Sequence, residues 1–106
     1  MYSVKWSESE KRIARRVFDA ALHRELAEVM VEFKQRADAA RKPEDMWSVE
    51  EFLATARQDI NSKYDYRYSQ LVLVFGRLLR EGRIQQRDLH GLSEDKLAYI
   101  RRVASL

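Results

Sequence analysis

The stretch MWSVEEFLATARQDINSKYDYR, residues Met46–Arg67, decides the fold. It contains no Gly or Pro and reads as helix for more than five turns. On a wheel of about 100° per residue, Val49, Phe52, Leu53, Ala56, Ile60 and Tyr64 gather on one side, the expected buried stripe. Trp47 falls on the other side, with Glu50, Glu51, Ala54, Arg57 and Gln58 around it. A tryptophan between carboxylates and a guanidinium on a polar face has two readings. It folds back against a neighbouring helix at a fraying helix start, or it anchors an interface, where Trp and Arg are favoured. Either way the residues describe a surface and no reaction.

Working outward, the chain before this stretch is almost one helix. Ser7 and Glu10 form a capping box, in which hydroxyl and carboxylate each satisfy a free backbone donor. From Glu8 to Arg41 nothing breaks the helix. Ala14, Val17, Phe18, Ala21, Leu22, Leu26, Val29, Met30, Phe33 and Ala37 recur at three and four residues. Such a helix is roughly 50 Å long, whereas a compact chain of this size has a radius of gyration of about 13 Å. The protein is therefore expected to be elongated or to share the stripe with a second chain. Tyr2, Val4 and Trp6 precede the box without a regular pattern. Removing residues 1–6 is expected to change stability little, with a staple contact from Trp6 the one reason against.

Arg41-Lys42-Pro43 ends the first helix and opens the second. A second capping box is available at Ser48 and Glu51, although Pro43 permits a start near Glu44. No alternating segment exists to pair with the run Leu71–Phe75, so it is read as helix, and the second helix is expected to continue to Arg80. Gly76 inside it implies a close helix contact. Glu81-Gly82 is a stop with Gly in the left-handed position. A short helix over Ile84–His90 and a last one over Glu94–Ala104, capped by Ser93, complete the chain. The expected architecture is a single all-α domain over 1–106. Long helices at about 8–41 and 44–80 form an extended hairpin, with a small C-terminal head at about 70–106.

Composition narrows the function. The 106 residues contain no Cys, which removes disulfides, thiol nucleophiles and thiolate metal sites together and is compatible with the expected cytoplasmic location. His23 and His90 stand alone, without partners at metal-ligand spacing. Glu50 and Glu51 diverge by about 100° on a helix and make no acid/base dyad. No phosphate loop or nucleophile motif is present, so neither catalysis nor a cofactor is expected. The N-terminus lacks the apolar segment of a signal peptide, and Leu71–Phe75 is far too short to span a membrane. Residues 1–76 carry 13 basic and 13 acidic side chains, and residues 77–106 carry 7 and 4. That bias is too mild to argue nucleic-acid binding. A nucleic-acid-associated regulator is kept as the alternative class, separable by salt-titrated DNA binding.

DMWSVEEFLATAR, DINSKYDYRYSQLVLVF and LLREG, read together, resemble the fluorescence recovery protein family of cyanobacteria. The likeness covers roughly residues 13–106. It is strongest in Asp45-x-Trp47, Phe52-Leu53, Arg57, Lys63-Tyr64-Asp65-x-Arg67-x-Ser69 and Glu81-Gly82. The resemblance implies an all-α, elongated homodimer without catalytic chemistry of its own. It also implies binding to the photoactivated orange carotenoid protein, speeding that protein's return to its resting form and ending its quenching of phycobilisomes. The family's functional patch maps onto Trp47, Glu51 and Arg57, with head contacts expected at Leu73, Phe75 and Tyr99. The family's usual His-Asp pair after the tryptophan stands here as Glu50-Glu51, and an aromatic and a lysine of the head as Leu73 and Tyr99. A family homologue with another protein partner is the expectation these departures carry.

Overall fold

The capping box opens the first helix as the sequence requires. Ser7 N–H donates to Glu10 Oε1 at 3.0 Å and Glu10 N–H to Ser7 Oγ at 3.1 Å. The structure, a computed structural model, describes residues 5–106, and Tyr2 and Val4 lie outside the described residues. Among the described residues four α-helices follow in order: α1 Glu8–Ala39, α2 Pro43–Lys63, α3 Leu71–Arg80 and α4 Glu94–Ala104. A single 3₁₀ turn at Gln86–Leu89 stands where the sequence suggested a short helix. The protein is all-helical, as expected. The chain divides into two compact units. One comprises the chain up to Ala21 with Tyr64–Leu106, the other Leu22–Lys63.

In the first unit, the early part of α1 buries Ala14, Val17, Phe18 and Ala21. α3 is the apolar centre, with Leu71, Val72, Phe75 and Leu78 fully buried. α4 packs on α3 through Ile100 and Val103. Gly76 is the close contact the sequence implied. A Cβ there would lie 2.6 Å from Val103 Cβ, closer still to its Cγ1, and 3.3 Å from the Ile100 carbonyl. Gly76→Ala is expected to destabilise by about 1–3 kcal/mol through overpacking, outweighing the ~1 kcal/mol gain in helix propensity. A lower urea midpoint with unchanged slope checks this. α3 ends in a Schellman motif: Gly82, at φ 75°, donates to Leu79 O, and Arg83 N–H to Leu78 O.

The long second helix expected over 44–80 is broken at 64–70. Tyr64 and Tyr66 both set their rings edge-on to Phe18, at centroid distances of 5.4 and 4.8 Å. Residues two apart share a side only in extended backbone, since a helix would turn them about 200° apart. Trp6 Nε1 donates to the Tyr68 carbonyl, and Asp65 takes the Arg67 guanidinium at i,i+2. The Arg15 guanidinium lies 3.6 Å from the Tyr66 ring centroid. Burial pushes the Tyr66 phenol above its ordinary pKa despite that cation.

Trp6 also overturns the expectation that residues 1–6 are dispensable. It is buried, with its ring 5.9 Å from that of Tyr68. Lys96 Nζ lies 5.0 Å from its centroid and donates to the Lys5 carbonyl at 2.6 Å. The docked segment therefore includes Lys5 and Trp6.

The second unit is a helical hairpin. α1 stops two residues before the expected Arg41, whose guanidinium donates to the Asp38 and Ala40 carbonyls. Asp45 accepts the Arg41 and Lys42 N–H groups and holds the turn, so its carboxyl titrates below the ordinary range. With Pro43 in the first turn, the box expected at Ser48 and Glu51 does not form. Ser48 sits inside α2 and donates to the Glu44 carbonyl. α2 runs antiparallel to the later part of α1: Arg36 covers the Phe52 ring at 4.5 Å, and Glu25 pairs with Lys63 at 2.7 Å.

Candidate functional site

The hairpin hides very little of its apolar surface. Of the 21 residues of α2 only Ile60 and Lys63 are buried, and within Leu22–Ala39 only Glu25 is. Leu26, Met30 and Val31 on α1, and Met46 and Leu53 on α2, are exposed large hydrophobics. Leu26, Val29, Met46, Val49, Leu53 and Ile60 line an open groove of about 640 Å³. The sequence set Leu26, Val29 and Met30 on a stripe too long for one small core, and Val49 and Leu53 on the buried side of α2. Periodicity identified the apolar face, but on α2 it could not say that one chain leaves it uncovered. Met46 escaped the sequence reading altogether, since its place on the wheel borders the polar side.

The residues singled out from the sequence surround this groove without all entering it. Glu50 and Arg57, two turns apart, contribute to its lining. Trp47 is 61% exposed, and Glu51 is exposed too; neither lines the groove. Trp47 thus does not fold back, and the first of its two readings is set aside. Among the described residues none of Trp47, Glu50, Glu51 and Arg57 has a polar partner, while their neighbours Asp45 and Ser48 are bonded within the hairpin. An exposed indole and unpaired charges beside an apolar groove are the residue types that interfaces favour.

The head residues separate. Leu73 is exposed and Tyr99 half-buried, but Phe75 is fully buried in the core face of α3 and serves packing in place of contact. Among the described residues no three His, Asp or Glu side chains cluster to hold a metal, and no helix is long and apolar enough to cross a membrane.

Fold and site together define a class: an all-helical protein whose hairpin presents an open apolar groove beside an exposed tryptophan and unpaired charges. The chain belongs to the fluorescence recovery protein family. Residues 6–104 match the family described as photoprotection regulator fluorescence recovery protein. The fluorescence recovery protein of Synechocystis sp. (strain PCC 6803) is 35% identical over 101 residues, covering 95% of this chain and 93% of its own length. The solved fluorescence recovery protein structures from Fremyella diplosiphon and from Synechocystis sp. PCC 6803 each superpose with a TM-score of 0.90 at 34% identity. Each match covers 96% of this chain and 100% of the other.

Proposed function

We propose that this protein is a non-catalytic, homodimeric modulator that binds the photoactivated orange carotenoid protein and speeds its return to the resting form. The observation that carries the reading is the uncovered hairpin surface, met in a member of a photoprotection-regulator family. The apolar groove suits a second copy of the chain, and the flank bearing Trp47 and Glu51 suits the partner, with Glu50 at its edge. Arg57 stands where the two surfaces meet. Acceleration without chemistry requires that the protein bind the barrier state or an on-path conformer more tightly than the photoactivated one.

The test is the rate of red-to-orange recovery in the dark. Wild type is expected to accelerate it. Trp47→Ala is expected to lose at least tenfold of that acceleration with a melting temperature within a few degrees of wild type, because an exposed indole leaves no core cavity when removed. Arg57→Leu is expected to lose as much, and its mass by light scattering tells partner contact from dimer bracing. Glu50-Glu51 supports a second reading, a different protein partner. Replacing the pair by His-Asp is expected to increase the acceleration. If wild type and this double variant both leave recovery unchanged while remaining folded dimers, the partner is another protein.

A further inference from the structure

The head carries a second concavity, formed where the 86–89 turn, α3 and α4 meet, with a volume of about 260 Å³. Its floor is apolar: Leu89 and Ile100 are fully buried, and Leu79 and Leu97 are half-buried. Its rim is polar and cationic, built by Gln86, Arg87, His90 and Arg101. Local geometry sets these residues in place. A box between Gln85 and Asp88 shapes the turn that presents Arg87 and His90, and Leu97 and Arg101 stand one turn apart on α4.

The two guanidinium groups on this rim are unpaired among the described residues. Among the described residues the side chains of Arg87, His90 and Arg101 have no hydrogen-bond or ion-pair partner. Of the carboxylates near them in sequence, Asp88 accepts the Gln85 N–H, Asp95 accepts from Ser93 Oγ and the Lys96 N–H, and Glu81 pairs with Arg77 and Arg83, while the exposed Glu94 has no polar partner among the described residues. The basic excess of residues 77–106, unassigned by the sequence, is thus partly concentrated around an apolar floor. Guanidinium groups bind carboxylates in paired, directional hydrogen bonds. The volume falls below the ~300–1,000 Å³ usual for whole small-molecule ligands, which fits a single side chain.

We infer that this head pocket docks an acidic peptide segment, seating one apolar side chain on the leucine floor while Arg87 and Arg101 take the flanking carboxylates. The occupant is a protein segment because the floor is hydrophobic and lacks the aromatic stacking platform that nucleic acid uses. All the pocket residues belong to the first unit, and the test involves no carotenoid protein, so its failure and the failure of the proposed function are separable.

The probe is the blocked hexapeptide Asp-Glu-Leu-Phe-Glu-Asp, titrated into full-length ¹⁵N-labelled protein. Amide shifts are expected to concentrate in 86–90 and 97–101. Binding is expected to weaken at least tenfold for Arg87→Ala/Arg101→Ala, and by a similar factor when the peptide's Leu-Phe becomes Ser-Ser. Both arginines are exposed, so the double variant keeps its fold, which its own unperturbed spectrum verifies. Shifts confined to other residues, equal affinity for the double variant, or equal affinity of the Ser-Ser peptide would overturn the inference. So would a short DNA duplex that shifts the same residues at higher affinity than the peptide.

Discussion

Leu53→Glu is expected to turn the proposed dimer into folded monomers. Leu53 is 37% exposed and lines the hairpin groove, so in a single chain its replacement costs little core packing. In a twofold interface the same patch meets itself, and each substitution enters twice. Two carboxylates then lie in an apolar contact, where burying an unpaired charge costs several kcal/mol each after relaxation. A micromolar dimer is held by only about 8 kcal/mol, so a loss of this size raises its dissociation constant by at least a thousandfold. Light scattering is expected to fall from twice 12.6 kDa to 12.6 kDa at micromolar concentration, with helical circular dichroism unchanged. A wild type that is already monomeric, or a Leu53→Glu variant that stays dimeric, would remove the groove from the interface. Leu26→Glu, on the facing wall, is expected to act the same way.

What could be read from the sequence was what neighbouring residues decide among themselves. The Ser7–Glu10 box, the Gly82 stop and the helical start at Pro43 are each settled within a few residues. Trp47 could be placed outside its helix's apolar stripe because the wheel is a property of α2 alone. The break at 64–70 was hidden because its causes lie far away in sequence: Phe18 draws Tyr64 and Tyr66 to one side, and Trp6 fixes the Tyr68 carbonyl. Helical spacing in a tyrosine-rich run carries no trace of those contacts, and tertiary packing overrides it. The groove was half legible. An apolar stripe too long for one core was visible, but a stripe does not say whether its cover comes from the same chain. Phe75 and Lys96 were misjudged or missed for opposite reasons. The resemblance set Phe75 among the head contacts, and a lysine looks solvated, yet both are fully buried.

Lys96 carries the second large effect. Its ammonium, on a residue only 1% exposed, joins two parts of the first unit that are remote in sequence, residues 5–10 and α4. It donates to the Lys5 carbonyl, pairs with Glu10 Oε1 at 3.3 Å, and lies against the Trp6 ring. Glu10 in turn accepts the Ser7 and Ser93 N–H groups, so one carboxylate starts α1 and fixes the entry to α4. Lys96→Ala leaves that carboxylate buried without its cation, a change that typically costs roughly 3–5 kcal/mol. For a chain of this size the melting temperature is then expected to fall by more than about 10 °C. Glu10→Gln/Lys96→Met is expected to recover part of the loss, since it removes the stranded charge and keeps the long side chain's packing. Acid should expose the same linkage. Burial alone would raise the pKa of Glu10, but the Ser7 and Ser93 hydrogen bonds and Lys96 together bring it below the ordinary 4.5. A depressed carboxyl stabilises above its unfolded value and loses that contribution as pH falls through its native one. Urea midpoints of wild type and Lys96→Ala are therefore expected to lie far apart at pH 7 and to converge as the pH drops below 4.5. A separation that stays constant across that range would mean that Lys96 acts through its aliphatic stem and the Trp6 contact, with no share from the ion pair.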